Sequence, residues 1–524
     1  MNQALFLVSA LAAGLTLSSC DTPNQDSSGV DTRQALNGLA VDGRVAGGKV
    51  WVDRNNNFEL DDFEPYSYTD SDGYYSQNLI TGANYCALPE ISDEYIRHCL
   101  VYGSSTDAMI IRIKGGIDLS TLEPLKGVMA MSSTITESSA VTVTPLVLSP
   151  LTTLLSAITD DTQKQNIRTA LGITSDDDLR LDFSKMETAA AQRLMANAVA
   201  VQTMMDILTS AADSGNAESL TQKNIINSIT QKIISTGTEP TLFDATTLTS
   251  LVSEVSSDTT QQSTVSSRLS DLNAEISKIA TATPEEAKRQ IKASEVLAQL
   301  VKQEASGTNK AAAKKVLDSG ISTLSTSLAS ELTDPDVDFD ISSITNSLVK
   351  SGKKTTAFDA NDISTAVEDS KLATGTVWGG SWFVLEATTD DSDDLTAGSY
   401  IAVRLEGNAE SPSGRLGVCA NASSLDSTDP EDIFENEYAS GTWTKISAGS
   451  IALFLEYEGT EFEGQMKAKV KLADQPHKFR FTSDVDGVSE SGDLVSNVNV
   501  ASALVNVTRP TSAADCATKV DPLL

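Results

Sequence analysis

At 524 residues the chain is longer than one hydrophobic core normally organises, so several domains are expected. It carries 72 acidic against 38 basic residues, a formal net charge of −34, and a surface of that sign repels phosphate backbones while attracting divalent cations, which argues against nucleic-acid binding. With His98 and His477 the only histidines and no Cys-x-x-Cys spacing, a zinc cluster or a redox dithiol has almost no material to form from.

Residues 1–19 contain no charged side chain, and residues 4–15 are an apolar run of signal-peptide length, too short to span a bilayer as a stable helix. Leu17-Ser18-Ser19-Cys20 then resembles the bacterial lipobox. That resemblance implies cleavage before Cys20, lipidation of Cys20 and attachment to a membrane in the cell envelope of a Gram-negative bacterium. Asp21 resembles the inner-membrane retention signal of enteric-type bacteria, but other lineages read the position differently. The outer membrane or cell surface and the periplasmic face of the inner membrane both stay open. Residues 20–37, rich in Ser, Asp, Asn and Gln without an apolar period, are expected to be a flexible tether from the lipidated cysteine.

From residue 38 to 115 the pattern changes to short β-type runs at 48–52, 74–79 and 108–113, separated by Gly, Asp and Asn turns, which predicts a small β-sandwich. Within it, residues 53–64 read Asp-Arg-Asn-Asn-Asn-Phe-Glu-Leu-Asp-Asp-Phe-Glu. Oxygen-bearing side chains fall at loop positions 1, 3, 5, 9 and 12, the spacing of an EF-hand-type calcium loop, because Ca²⁺ needs six to eight hard oxygens and a tight coil turns alternate residues inward. Asp53, Asn55 and Asn57 are expected to bind through side chains, Glu59 through its carbonyl, Asp61 directly or through water, and Glu64 through both carboxylate oxygens. Leu60 is expected to tuck into the core. Phe58 stands at position 6, where Gly is usual because the chain turns there with positive φ.

Val50-Trp51-Val52-Asp53 running into this loop, then Glu64-Pro65, then Thr69-Asp70-Ser71-Asp72-Gly73-Tyr74, resembles the calcium-binding B-type β-sandwich repeats of bacterial surface adhesins. The likeness extends through Gly115-Gly116-Ile117-Asp118, Val143-Thr144-Pro145 and Ser149-Pro150-Leu151-Thr152-Thr153-Leu154, covering roughly residues 38–210. It implies a surface or adhesive protein, with Asp70 and Asp72 as further candidate ligands.

Residues 116–370 contain no Trp, Tyr, Cys or His and are dominated by Ala, Ser, Thr, Leu and Ile, which predicts an all-α domain packed through small and aliphatic side chains. Ser149-Pro150 offers an N-cap with Pro at the first position, and residues 184–187 and 283–286 have capping-box spacing. Gly215 and Gly307 mark two helix ends. The stripes Val265, Leu269, Leu272, Ile276, Ile279 and Leu317, Ile321, Leu324, Leu328 are expected to be core seams. Asp334, Asp336, Asp338 and Asp340 form a loop ending in an N-cap, and Asp390, Asp391, Asp393 and Asp394 a charged turn.

From residue 374 to 524 aromatics return, and about eight alternating runs predict an antiparallel β-sandwich or closed barrel. Gly380-Ser381-Trp382 and Gly441-Thr442-Trp443 are faintly similar to the Gly-x-Trp of lipocalin-like barrels. The expected fold class is therefore multidomain α and β: a β-sandwich, an all-α middle and a C-terminal β-sandwich or barrel. Apart from Cys20, the four cysteines Cys86, Cys99, Cys419 and Cys516 admit three pairings, and proximity in sequence favours Cys86 with Cys99 and Cys419 with Cys516.

The leading functional expectation is a non-enzymatic, calcium-stabilised surface protein with a structural or adhesive role toward a cell-surface protein or glycan. A C-terminal barrel that binds a small hydrophobic ligand or a glycan is the alternative. A third reading is an enzyme with an unrecognised carboxylate site, though no GxSxG, HExxH or phosphate-binding Gly loop is present.

Overall fold

The computed structural model describes residues 34–102, 108–125, 127–134, 146–212, 218–306, 309–333, 337–373, 376, 378–386, 400–408, 410–421, 437–457, 460–468, 478–485, 488–496, 504 and 506–523. The expected leader, Cys20, the tether as far as residue 33, residues 143–145, Gly215, Gly307, Asp334, Asp336, the 390–394 cluster and His477 lie outside the described residues. The architecture is a β region, a helical middle and a C-terminal antiparallel barrel. It divides into two compact units, one of Arg33–Pro335 with Phe339–Lys371, the other of Asp336–Asp338 with Leu372–Leu524.

The first unit begins with β1 (Gln34–Ala35), β2 (Gly38–Ala40), β3 (Val45–Ala46), β4 (Lys49–Asp53), β5 (Tyr66–Tyr68) and β6 (Tyr74–Tyr75). Short helix α1 (Asp93–His98) and strands β7 (Val101–Tyr102), β8 (Ala108–Lys114), β9 (Ile117–Asp118), β10 (Glu123–Pro124), β11 (Val128–Thr134) and β12 (Leu146–Leu148) follow. The strand expected over 74–79 stops after Tyr75, because Ser76 takes φ +63° and breaks the pleat. The β region also runs past residue 115: β11 pairs with β8, and β12 pairs in parallel with β2. Gly116 makes that continuation possible, since at φ +78° an added Cβ would lie 2.4 Å from Gly48 N.

The main sheet has the order β11-β8-β4-β5. Alternation turns Val50, Val52, Met109, Ile111, Ile113 and Met129 into a core shared with Ala40, Tyr75, Leu146 and Leu148 of the opposing strands. The other face carries Trp51, Arg112 and Ala130 in register. Helix α2 (Pro150–Ser156) is clasped onto that sheet: Thr152 Oγ1 donates to Ala130 O (2.8 Å), and Ala130 N donates to Thr153 Oγ1 (2.7 Å). Ser149 caps the helix in a reciprocal box with Thr152, so the Ser-Pro-Leu-Thr-Thr-Leu element is a sheet-to-helix clasp.

The helices that follow include α3 (Asp161–Leu171), α4 (Ala189–Ala211), α5 (Glu218–Thr236), α6 (Ala245–Val255), α7 (Thr259–Ile276) and α8 (Pro284–Ser306). They continue with α9 (Lys310–Leu317), α10 (Ile321–Glu331), α11 (Ile341–Gly352) and α12 (Ala360–Glu368). Both expected seams are buried, though the second is shared by two helices, α9 and α10, with Gly320 at φ +99° between them. The helix start expected at 184–187 is displaced: Met186 turns left-handed (φ +51°) after a 3-10 turn, and Thr188 caps α4 by accepting from Ala191 N. Asp340 caps α11 as expected.

In the second unit eight antiparallel strands run in sequence order from β13 (Trp382–Glu386) through β14 (Tyr400–Leu405), β15 (Ser413–Asn421), β16 (Glu437–Ser447), β17 (Ser450–Tyr457), β18 (Thr460–Ala468) and β19 (Lys478–Val485) to β20 (Val488–Ser496). β13 pairs with β20 and closes the barrel. Each of three buried indoles finds a carbonyl for its N–H: Trp378 on Ala448, Trp382 on Val507 and Trp443 on Glu406. Disulfides join Cys86 to Cys99 and Cys419 to Cys516. The second ties the C-terminal segment, through Leu504, Cys516 and Val520, onto Trp382, Val384 and Ala402 of the barrel.

Candidate metal centre

Strand β4 delivers Asp53 to the rim of the main sheet, and the chain then coils through residue 64 before returning as β5. Two residues of the coil turn left-handed, Asn56 (φ +59°) and Phe58 (φ +73°). For a bulky aromatic that backbone costs on the order of 1–3 kcal/mol. What offsets it is burial: the Phe58 ring is 8% exposed, its centroid 3.6 Å from the Arg112 guanidinium carbon and 5.5 Å from Lys223 Nζ. Phe58 thereby fills the core position expected of Leu60, which is only half-buried.

The two buried carboxylates lock the coil. Asp53 Oδ1 accepts from the backbone N–H groups of Asn56 (2.6 Å) and Asn57 (3.3 Å), and Oδ2 accepts from that of Phe58 (3.2 Å). Glu64 accepts at one oxygen from Arg54 N (2.6 Å) and at the other from Asp61 N (3.2 Å). On the open side Asn55 and Asn57 both donate their side-chain amides to Asp61 Oδ2, at 2.7 and 3.1 Å. A half-turn of either amide exchanges its nitrogen for its oxygen. Glu59 is exposed, its N–H donating to Asn57 Oδ1.

All six residues expected as ligands therefore belong to one coil, three of them converging on one point. Among the described residues no group of three or more His, Cys, Asp and Glu side chains comes together to hold a metal. A cation here would rest on two amides and a backbone carbonyl as well as carboxylates, an all-oxygen set that suits a hard ion.

Arg112 escaped the sequence reading. It projects from β8 on the same face as Asp53, and its Nε donates to Asp53 Oδ2 in an ion pair whose side chains are 2% and 0% exposed. Its Nη2 donates to Asn56 Oδ1 (2.5 Å), while Nη1 finds no hydrogen-bond partner among the described residues. Burial pushes the guanidinium pKa down, and the neighbouring carboxylates Asp53 and Glu64 pull it back up. Lys223 of α5 closes the cluster by donating to Asn56 O (3.2 Å). The available signal was a lone charge inside the apolar run Met109-Ile110-Ile111-Arg112-Ile113.

Asp70 and Asp72 do not hydrogen-bond to this coil; they organise the next hairpin. Asp70 accepts from Asp72 N, Tyr74 N, Asn78 Nδ2 and the Tyr85 hydroxyl, and Asp72 accepts from Asn78 Nδ2. Burial raises the Asp70 pKa despite those bonds. His98 is buried against the Tyr85 ring with Nδ1 2.9 Å from Tyr68 O, and burial lowers its pKa to about 3, with Arg97 adding to the effect. No protein-family model, no curated protein and no solved structure matches this chain.

Proposed function

We propose that the chain is a lipid-anchored, extracytoplasmic protein of the cell envelope with a structural or adhesive role, and that calcium held by the 53–64 coil stabilises its first unit. The observation that carries this reading is the convergence of Asn55, Asn57 and Asp61 within a coil whose ends Asp53 and Glu64 lock. The side chains of Asp53, Asn55, Asn57, Asp61 and Glu64 and the carbonyl of Glu59 would hold the ion. Bound calcium supplies a fixed positive charge that cross-links the coil, and its binding free energy adds to folding.

Two disulfides suit an oxidising compartment, and membrane attachment is assigned to lipid on Cys20. Among the described residues no helix is long and apolar enough to cross a membrane. Leu79, Ile80, Leu88, Ile91 and Ile96 are exposed in or beside the loop that Cys86–Cys99 closes, which favours a protein over a glycan as the partner.

The test is thermal unfolding of the full-length chain in mild non-ionic detergent, with calcium and with chelator, alongside Asp61→Asn. Asp61 is chosen because it makes no bond to Arg112. Calcium should raise the first unit's transition in the parent and leave it unmoved in the variant. Equal transitions with and without calcium in the parent would sink the reading.

A second reading, a small hydrophobic ligand inside the barrel, is favoured by the buried apolar set Phe383, Val403, Leu405, Leu416, Trp443 and Leu453, which shares one face of the closed sheet. A fatty-acid probe that quenches tryptophan fluorescence at micromolar concentration would support it, and no quenching would dismiss it.

A further inference from the structure

We propose that Arg112 is a built-in cation of the 53–64 coil: it holds the coil in its liganding shape when no metal is bound, and its charge weakens the binding of a divalent ion. The second half rests on the calcium reading above; the first does not.

The geometry separates two sides of the coil. On the buried side the guanidinium bridges Asp53 Oδ2 and Asn56 Oδ1 and stacks on Phe58. Residues 54–57 are exposed, and on that open side lie the side chains of Asn55, Asn57 and Asp61. Asp53 is therefore held from the buried side, by Arg112 and by the amides of Asn56, Asn57 and Phe58, within the coil whose open side carries Asn55, Asn57 and Asp61.

A loop that relied on metal alone would leave a buried carboxylate without a counter-charge in the apo state, and such a charge is strongly destabilising. Here the chain carries its own counter-charge. Arg112 also explains how Phe58 is tolerated at a glycine position, since the ring that strains the backbone is the surface the guanidinium stacks on. The cost falls on the metal. A fixed positive charge paired with a candidate liganding carboxylate repels a divalent ion, and removing it should tighten binding by about tenfold or more.

The experiment follows exchange of backbone amide hydrogens in peptides covering 53–64 of the full-length chain, with mass-spectrometric readout. Five backbone amides of the coil, those of Arg54, Asn56, Asn57, Phe58 and Asp61, are bonded to Asp53 or Glu64. The parent, Arg112→Gln and Arg112→Lys are compared in chelator and in calcium, and calcium affinity is measured by calorimetry.

In chelator the parent coil should be protected, Arg112→Gln should exchange at least about tenfold faster, and Arg112→Lys should fall between them. Calcium should restore protection in Arg112→Gln and bind it about tenfold more tightly than the parent. If Arg112→Gln in chelator is as protected as the parent, Arg112 does not hold the coil. If Arg112→Lys behaves like Arg112→Gln, charge is not the agent, and the proposal also fails. If calcium binds parent and Arg112→Gln equally, the repulsion is refuted while the calcium reading survives. If calcium binds neither, the calcium reading and the repulsion built on it fall together, and the exchange rates in chelator still decide the first half.

Discussion

Two residues of the first unit carry opposed energies that magnitudes can decide. Phe58→Gly relieves a left-handed backbone worth on the order of 1–3 kcal/mol, but it deletes a buried ring, a loss of about 3–5 kcal/mol. Deletion wins, so the variant should lose about 2 kcal/mol in denaturant unfolding although it restores the residue usual at that position. A gain in stability would mean that the ring contributes little. Asp118 gives a prediction with a sign. Burial, reinforced by Glu295, pushes its pKa up to about 6, against hydrogen bonds from Ser120 and Thr121 that pull it down. A carboxyl whose folded pKa lies above its unfolded one favours the fold below pH 4 and loses that contribution as pH rises through about 6. The loss amounts to roughly 3 kcal/mol. Asp118→Asn should flatten the stability profile between those limits, and an unchanged slope would remove Asp118 as its source. At this scale the sequence displayed the candidate-ligand spacing and the unusual Phe58 within it. Arg112 was illegible as a partner because it lies 59 residues from Asp53 and meets it only through the register of β4 on β8.

Among the elements, the two disulfides differ in what they restrain. Cys86–Cys99 closes a separation of 13 residues around α1, whereas Cys419–Cys516 spans 97 and fastens the C-terminal segment to β15. Loop-closure entropy grows with the logarithm of length, so replacing both members of the longer bond by Ala should cost the second unit about 4–5 kcal/mol, against roughly 3 for the shorter bond in the first. The same double variant should open residues 513–523 to proteolysis before the barrel unfolds. Simultaneous loss of segment and barrel would show that they form one cooperative piece. Both pairings were legible from proximity, and the barrel's strands from alternation, because these are local properties. The extent of the N-terminal sheet was not: β11 and β12 return to β8 and β2 from across an expected boundary, and nothing local in Val128–Thr134 marks it as strand rather than helix. The start of α4 was misplaced for a similar reason, since 184–187 and Thr188 offer competing caps and only the packed chain selects one.

For the whole molecule, a net charge of −34 makes every stability measurement sensitive to ions in general, so a calcium effect needs separating from screening. Each unit has its own buried core, and Trp51 is the only tryptophan of the first, with Trp378, Trp382 and Trp443 in the second. Trp51→Phe therefore yields a chain whose indole fluorescence reports on the barrel unit alone, and the difference from the parent reports on the first unit. Raising sodium chloride at constant pH should lift both transitions, because self-repulsion acts on all acidic surfaces. Calcium at matched ionic strength should lift only the transition that Trp51 reports, because the all-oxygen coil at 53–64 belongs to that unit. If calcium moves both transitions equally, the ion is acting on diffuse surface charge, and the coil loses its claim to be a site. If it moves the first alone, and magnesium at the same concentration does not, the coil discriminates by size and ligand number, as a flexible oxygen cage for the larger ion would.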